Sequence, residues 1–253
     1  MSVRGGGLGA HLRTIHALGM PAVSVPDGWQ ICRHRLDDVD DVLPGDVVAC
    51  NWDIRERAAL ARLEALSARL PLVPVVCIDD GGEKAHHHLA RSTLGPGWCH
   101  LVATDSLERF LAAEPAPGLG AHHFGVHWAG LRPAVADAVA TMLDAPDLGP
   151  LLSQQAWRLG RSPEALGRAF RDDCRIGYAA MRERRGVALM LGRVVIGAGL
   201  KDAAETVGWQ ASNARLALRR QGLDWHCFAG ADGRRRLREE LPVVLRGREE
   251  GGS

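Results

Sequence analysis

The 253-residue chain lacks the features that mark a membrane or secreted protein. No stretch approaches the roughly 20 uncharged apolar residues of a membrane helix, because Arg193 and several glycines interrupt the most apolar run, Val187–Leu200. The first seven residues contain no apolar core of a signal peptide. The six cysteines never form a Cys-x-x-Cys pair, which favours small core residues in a reducing compartment. We therefore expect a cytoplasmic protein with no membrane partner.

Lysine is scarce, at Lys84 and Lys201 only, and the net charge of +1 conceals an uneven distribution. Residues 1–145 have a net charge of −5, and the rest of the chain has +6. The excess is concentrated in Leu151–Leu223, where 13 basic and 6 acidic residues leave +7. This asymmetry predicts two domains, one of which has an anionic partner such as the phosphates of a nucleic acid.

The N-terminal part, residues 1–145, alternates short apolar runs with helical patterns, which predicts an α/β domain with a parallel sheet. The expected strands are Ala22–Val25, Asp46–Cys50, Val73–Ile78 and Cys99–Ala103. The expected helices are Leu8–Leu18, Arg55–Leu70, Leu107–Ala113 with Ser106 as its cap, and Pro133–Leu143. Pro115–Pro133 shows no periodicity and is expected to be a loop, and Ala145–Pro150 is expected to be a linker.

The C-terminal part is expected to be all-helical, and its strongest signal is a helix, a tight turn and a second helix over Ser153–Arg171. Gly160 ends the first helix, and Ser162 caps a second helix that has Pro163 at its first position. Leu166 and Phe170 share one face of the second helix and predict packing. Glu164, Ala165, Arg168 and Arg171 then lie elsewhere on it, as on a recognition helix in a DNA major groove.

A second unit of the same kind is expected over Leu200–Arg220. Gly208 turns the chain, and Trp209 is expected to fill the junction between the two helices. Ser212 or Asn213 is then expected to cap a basic helix. The basic residues of that helix are Arg215, Arg219 and Arg220.

The motif Leu-Gly-Arg-Ser-Pro-Glu-Ala-Leu-Gly-Arg-Ala-Phe-Arg, followed by a long helix and then by Ala-Ala-Glu-Thr-Val-Gly-Trp, resembles the AraC/XylS-type DNA-binding domain over Gly149–Cys227. The resemblance implies two helix-turn-helix units joined by a linker helix, Tyr178–Val195. It also implies recognition helices at Pro163–Arg171 and Ser212–Arg220 in successive major grooves of promoter DNA. The implied DNA-binding residues are Ser162, Glu164, Ala165, Arg168, Arg171, Ser212, Asn213, Arg215, Arg219 and Arg220.

The chain departs from the family pattern in its second unit and in its linker helix. Ala214 and Leu216 replace the usual aromatic residue and arginine, and the unit is one residue short after Trp209. The linker helix contains Gly186 and Gly192, each of which costs about 1 kcal/mol relative to alanine in a helix interior. DNA contact by the second unit is therefore less well supported than contact by the first.

The acidic part is similar to a response-regulator receiver domain around Pro44–Asn51 and Pro71–Ile78. The resemblance puts Asn51 at the phosphoacceptor position, where it cannot form an aspartyl phosphate. Asp79 replaces the usual threonine or serine, and a residue near Thr104 replaces the usual lysine. Only a few residues precede the first expected helix, so the central first strand is missing from the pattern. The implied domain is a degenerate receiver whose parallel sheet is either incomplete or rearranged.

Other types of site have weaker support in the sequence. His123 and His127 have the i, i+4 spacing of a helical zinc pair, but a glycine lies between them and no third ligand is evident; His86–His88 is a further histidine cluster. Asp79–Asp80 could hold Mg²⁺, although a strand-end turn explains it better. The tryptophans Trp52, Trp98 and Trp128 suggest either a small-molecule pocket at strand ends or rim packing. No phosphate-binding glycine loop follows a strand, so neither enzymatic activity nor a cofactor or metal is expected.

These observations predict a two-domain DNA-binding transcription regulator. Residues 1–145 form the receiver-like domain for dimerisation or signal input, 146–229 the DNA-binding domain, and 230–253 a flexible tail. The expected partners are double-stranded DNA, a second copy of the chain and an unidentified small-molecule or protein effector. Two alternatives remain open: an adaptor or antagonist that has lost DNA binding, and a small-molecule sensor with a pocket in the α/β domain.

Overall fold

The structure, a computed structural model, describes residues 13–18, 20, 25–34, 42–51, 57–78, 95–113 and 116–247. Its N-terminal half contains a five-stranded sheet whose order is β2-β1-β3-β4-β5 and whose neighbouring strands are all parallel. The strands are β1 (Arg13–Leu18), β2 (Trp29–His34), β3 (Val47–Cys50), β4 (Val75–Ile78) and β5 (Cys99–Val102).

Helices cover both faces of this sheet. Alternate side chains of each strand point to opposite faces, so the strands contribute to a separate core cluster on each side. Val48 and Val75 belong to the core cluster that includes residues of α1 (Arg57–Arg69), whereas Val47 and Val76 belong to the cluster that includes α2 (Leu107–Ala112). Both β3 and β4 are entirely buried, which explains their near-continuous apolar sequences. The strands expected from Asp46, Val73 and Cys99 onward are thus confirmed with small shifts at their ends.

The prediction for the start of the chain is wrong. Residues 13–18, expected within the helix Leu8–Leu18, form β1, which lies in the sheet between β2 and β3. Ile15 pairs with Ile31 on one side and with Val47 on the other, so no central strand is missing and the sheet is complete without the expected gap. Of the expected strand Ala22–Val25, residues 22–24 lie outside the described residues and Val25 belongs to no strand.

The C-terminal half is helical and has one continuous core. It contains α3 (Pro133–Leu143), α4 (Leu152–Arg158), α5 (Pro163–Cys174), α6 (Tyr178–Val195), α7 (Leu200–Glu205), α8 (Ala211–Arg220) and α9 (Gly233–Arg246). The long helix α6 is at the centre. Its eight consecutive residues Arg185–Gly192 are buried, as is Val194, whereas Arg193 between them is exposed. Pro133 begins α3 and Leu143 ends it, as predicted.

The expectation of a flexible tail from residue 230 is wrong for the part that the structure describes. Gly233–Arg246 forms α9, which packs on α6. Leu237, Leu241 and Val244 are buried along one face of α9 at helical spacing, even though Pro242 lies inside the helix. Residues 248–253 lie outside the described residues.

The two halves meet where α6 approaches the amino-terminal edge of the sheet. A Cβ atom added at Gly192 would lie 2.8 Å from Leu72 Cδ1 and 3.3 Å from Pro44 Cβ, so the lack of a side chain at Gly192 allows this close approach. Leu72 itself is 3% exposed and belongs to the helical core, although it precedes β4 in the chain. Within the described residues, no helix has the length and apolar character needed to cross a membrane.

Candidate nucleic-acid interface

Two helix pairs in the C-terminal half, α4 with α5 and α7 with α8, repeat one pattern of spacing. Leu152 and Leu200 begin the first helices of the two pairs, and Pro163 and Ala211 begin the second helices. The glycines Gly160 and Gly208 occupy the same place in each turn. One constant offset along the chain relates all of these positions, so the second pair is not one residue short relative to the first.

The turns of the two pairs also have the same backbone conformation. Gly160 has φ +61° and Gly208 has φ +69°, in the left-handed region that favours glycine. The amide of the following residue donates back to a carbonyl of the first helix in both turns, from Arg161 to Ala156 and from Trp209 to Ala204, each at 2.9 Å. This is the Schellman motif, which ends a helix and redirects the chain.

Helix α5 presents the predicted residues of the first pair to solvent. Ser162 precedes the helix, and its hydroxyl accepts a hydrogen bond from the Ala165 amide at 3.2 Å, which confirms the predicted cap. Leu166 and Phe170 are fully buried, and the Phe170 ring packs edge-on against Tyr178 at 5.1 Å. The remaining face is exposed, with Glu164, Ala165, Arg168 and Arg171 on it.

Helix α8 begins earlier than predicted. Gln210 precedes its first residue, Ala211, and makes no side-chain cap hydrogen bond, so the prediction that Ser212 or Asn213 caps the helix is wrong. Both of these residues lie in the first turn and are exposed. The rest of the exposed face contains Arg215, Leu216, Arg219 and Arg220.

Acidic groups near the two pairs are already matched by arginines outside the predicted interface. Arg132 Nε donates to Asp173 Oδ1 at 2.8 Å and lies at the end of α5 farthest from its cap. The hydrogen bond from Arg132 holds the pKa of Asp173 below its usual range. Arg158 of α4 similarly pairs with Asp137 of α3. These ion pairs remove negative charge that would otherwise oppose an anionic ligand.

Several arginines of the helix pairs, in contrast, have no ion pair or side-chain hydrogen bond among the described residues. They are Arg161, Arg168, Arg171 and Arg175 in and around α5, and Arg215 and Arg219 on α8. Arg220 differs from them, because its guanidinium binds both oxygens of Glu183 on α6 at 2.6 and 3.1 Å. The free guanidinium groups can donate to phosphate oxygens or to base edges.

The structure brings only part of the predicted set together. Asn213 and Arg220 line a groove of about 570 Å³ between α8 and the first residues of α4 and α6. Ser153 and the half-exposed Leu216 also line this groove, but none of the predicted residues of α5 does. The α5 and α8 sets are therefore two separate exposed helix faces.

Trp209 lies between α7 and α8 in the chain, but its ring packs on α6 and explains one of the glycines of that helix. A Cβ atom at Gly186 would lie 2.6 Å from Trp209 Cη2 and 2.6 Å from Leu148 Cδ2. Glycine is required at this point because the indole ring and Leu148 pack directly on the helix backbone. The sequence alone does not predict this close packing at Gly186. A glycine inside a strong helical pattern, where it is unfavourable, is the signal that could have indicated it.

Next to Gly186 lies a buried arginine that no sequence pattern predicts to be buried. Arg185 is fully buried, and burial lowers the pKa of its guanidinium to about 10. One terminal nitrogen donates to the carbonyl of Ala145, in the segment that connects the two halves. Its Nε and other terminal nitrogen have no hydrogen-bond partner within the described residues.

The other candidate residues serve mainly in packing. Trp98 is fully buried against His122 rather than at a pocket, and Trp128 is partly buried on the helical core; Trp52 lies outside the described residues. Asn51 is exposed directly after β3, at the carboxyl end of the sheet. Residues 79–94, which include Asp79–Asp80 and His86–His88, lie outside the described residues.

His123 is used for packing and not for pairing with His127. Its Nδ1 accepts from the Gly120 amide at 3.0 Å, and its Nε2 lies 3.1 Å from the Ser67 carbonyl oxygen. Burial lowers the pKa of His123, and it lowers the pKa of His122 to about 3. Among the described residues, no group of three or more His, Cys, Asp or Glu side chains is placed to hold a metal ion.

Comparisons of the chain with protein families, with curated proteins and with solved structures find no match. The interpretation of the two helix pairs therefore depends on their own geometry and charge.

Proposed function

We propose that this protein is a sequence-specific regulator that binds double-stranded DNA through two helix-turn-helix units of AraC/XylS type. The single observation that carries the proposal is the repeated geometry of the two helix pairs. Each pair presents an exposed helix face with unpaired arginines after the same glycine turn. A second helix held in this way after a tight turn is the arrangement that enters a major groove.

The charge of the region supports the same function. Residues 151–223 have a net charge of +7, and the nearby acidic residues Asp173, Asp137 and Glu183 are matched by Arg132, Arg158 and Arg220. Each phosphate that binds one of the free arginines releases condensed counterions, so affinity should fall steeply as salt rises. On this proposal the protein is a binding protein and not an enzyme.

The experiment is a titration of labelled DNA from upstream of the protein's own gene with the full-length chain at several salt concentrations. Arg219→Ala is expected to weaken binding to all DNA sequences alike. It should also flatten the slope of log K against log salt concentration by about 1. Arg109→Ala is the matched control, because Arg109 is an exposed arginine on α2 in the other half of the protein. Equal affinity for upstream and random DNA at low salt would contradict the proposal.

For the N-terminal half we propose an input or dimerisation domain of receiver type that is not phosphorylated on aspartate. The order β2-β1-β3-β4-β5 supports this, since it is an order of doubly wound domains such as receivers. Asn51 follows β3 at the carboxyl end of the sheet. Incubation with acetyl phosphate and Mg²⁺ should leave the intact mass unchanged, and a phosphate adduct would contradict the proposal that the domain is not phosphorylated.

A homodimer of the chain would align four helix-turn-helix units on paired half-sites of the DNA. The spacing of half-sites in DNA fragments selected by the protein can test this arrangement.

A second candidate function is an adaptor that contacts protein through the second helix pair. Leu216 favours it, because a half-exposed leucine stands on α8 where α5 has Arg168. A folded full-length protein that shows no salt-dependent DNA binding in the titration would favour the adaptor.

A further inference from the structure

A cleft of about 300 Å³ lies between the amino-terminal edge of the sheet and the C-terminal half of α6. The sheet side is formed by residues at the beginnings of strands, including Trp29 of β2 and Leu72 before β4. The helix side is formed by Leu189 and Ile196, with Thr206 at the end of α7. Ligands of open parallel sheets usually bind at the opposite, carboxyl edge, so this cleft is separate from the position of Asn51.

At the base of the cleft, the two halves of the protein are in direct contact. Gly192 lets α6 come within van der Waals distance of Leu72 and Pro44, which both line the cleft. Leu72 has φ +73°, a left-handed conformation that leucine rarely adopts, and its side chain is buried in the helical core. A strained residue that persists in this way is held by the packing around it.

The polar groups of the cleft favour an anion. Its acidic residue, Asp46, is buried and already accepts hydrogen bonds from the Thr14 amide at 2.9 Å and the Leu43 amide at 2.8 Å. The other charged residues are basic. Arg13 lies over the Trp29 ring, with its guanidinium carbon 5.6 Å from the ring centroid, and Arg193 is exposed and has no ion pair among the described residues.

We propose that this cleft binds a small apolar carboxylate and that its occupancy regulates DNA binding. The carboxylate would bind Arg193 at the rim, and the apolar body would pack on Leu72, Leu189 and Ile196. The cleft volume suits a molecule of about 10 to 15 non-hydrogen atoms at the packing density of protein interiors. The regulatory part of this inference depends on the proposed function, whereas the binding part does not.

The coupling follows from the position of α6. This helix connects the two helix pairs, and its residues form one wall of the cleft. Pro146 of the connecting segment also lines the cleft, and the neighbouring Ala145 accepts a hydrogen bond from the buried Arg185 of α6. A ligand in the cleft therefore contacts the sheet, the connecting segment and α6 together. Any shift among these elements changes the spacing between α5 and α8, which sets whether both can reach DNA.

The binding experiment uses the full-length protein with 4-phenylbutyrate and decanoate, each compared with its neutral amide by calorimetry and thermal unfolding. We expect the acids to bind at millimolar concentration or below and to raise Tm, and the amides to bind at least about tenfold more weakly. Arg193→Gln should remove most of this difference. Arg109→Gln is the matched control, because Arg109 is also an exposed arginine but lies on α2 and does not line the cleft.

A second variant, Ile196→Trp, should block binding by filling the cleft, with circular dichroism confirming that the chain still folds. Absence of binding by both acids, equal binding by the amides, or unchanged binding in Arg193→Gln would overturn the site. DNA affinity is then measured with and without the acid. An acid that binds without changing DNA affinity would overturn the regulatory part alone, and a protein that binds the acid but no DNA would leave the site standing while the proposed function fails.

Discussion

The two helix pairs have the same turn but different anchors for their second helices. In α5 the equivalent inward positions are Leu166 and Phe170, whereas in α8 they are Ala214 and Leu218. The first pair thus anchors its second helix with two bulky side chains, one of which packs on Tyr178 at the start of α6. The second pair has smaller side chains at these positions and adds the contact of Trp209 with α6. The difference teaches that one backbone geometry can be stabilised by large buried side chains in one copy and by smaller ones, together with a tryptophan of the turn, in the other.

The largest expected effect tests the anchors themselves. Phe170→Ala should lower the free energy of unfolding by about 3–5 kcal/mol, because the ring is fully buried against Tyr178. Leu218→Ala should cost less, near the lower end of about 2–5 kcal/mol, since fewer atoms are removed. Urea unfolding followed by circular dichroism measures both. A larger loss for Leu218→Ala would reverse the comparison.

Protonation of histidine acts only in the other half of the protein and not in the two pairs, because residues 151–223 contain no histidine. Burial lowers the pKa of His122 to about 3 and that of His100 to about 4 in the folded protein, whereas the unfolded values are near 6.5. Between pH 6.5 and 4 the unfolded chain therefore binds protons that the folded chain does not. The free energy of unfolding should fall by about 1 kcal/mol per buried histidine as pH drops from 6.5 to 5.5.

Urea unfolding at several pH values measures this loss, and His122→Asn should reduce its slope. If His122→Asn leaves the pH dependence of the free energy of unfolding unchanged, groups other than His122 cause the loss of stability. DNA affinity over the same pH range provides the control, since the arginines of α5 and α8 keep their charge.

The next prediction concerns the residues that face outward at equivalent positions, Arg168 on α5 and Leu216 on α8. Arg168→Ala should weaken binding to the preferred DNA site by about 10- to 100-fold, or about 1–3 kcal/mol, and relax preference at one base position. Leu216→Ala should change DNA affinity little. Fluorescence anisotropy with sites that differ at single positions measures both. Equal losses would mean that the second pair reads bases as strongly as the first.

A smaller effect tests the support that α6 gives to the second pair. Gly186→Ala should destabilise the protein by about 1–3 kcal/mol through overpacking, despite the higher helix propensity of alanine, because the new methyl group would meet Trp209 and Leu148. Gly167→Ala on α5 is the matched control. There the methyl group would lie 3.2 Å from the end of the flexible Leu152 side chain, so the change should stay within about 1 kcal/mol.

The same contact gives a double-variant test. Trp209→Leu should recover part of the stability lost in Gly186→Ala, because it removes the ring atoms that the new methyl group meets. The two substitutions would then be non-additive in urea unfolding. Simple additivity would place the cause of the loss elsewhere in α6.

How far the sequence predicts the fold depends on how local its signals are. β3, β4 and α3 were predicted because their apolar runs or their proline are bounded by turn residues. β2 was missed because its sequence mixes Trp29 with polar residues and it lies at the edge of the sheet, where one neighbour is enough. For β1, the residues before it extend an apolar spacing that fits a helix, and only pairing with distant strands decides the outcome.

In the candidate interface, too, local features are predicted from the sequence and features that depend on distant residues are not. The cap at Ser162 and the turn at Gly160 are local and were predicted, whereas the roles of Gly186 and Gly192 depend on residues far along the chain, Trp209 and Leu72. Helix α9 was also missed, because an arginine-rich segment with an internal proline is typical of a tail. Its buried leucines at i, i+4 spacing, Leu237 and Leu241, were the available signal.

The smallest expected effect concerns Arg220, the one arginine of the predicted set that is held by an ion pair. Glu183→Gln should change the free energy of unfolding by only about 0.2–1 kcal/mol, since the arginine is half-exposed and such pairs contribute little. The same change frees the guanidinium and removes a negative charge beside α8, so the salt dependence of DNA binding should steepen by up to about 1. Glu239→Gln removes the same charge on α9, where Glu239 pairs with Arg235, and should leave the salt dependence unchanged. If the two variants behave alike, α8 lies away from the DNA and only the first pair binds it; if Glu183→Gln alone steepens the dependence, the second pair takes part in binding despite its smaller anchors.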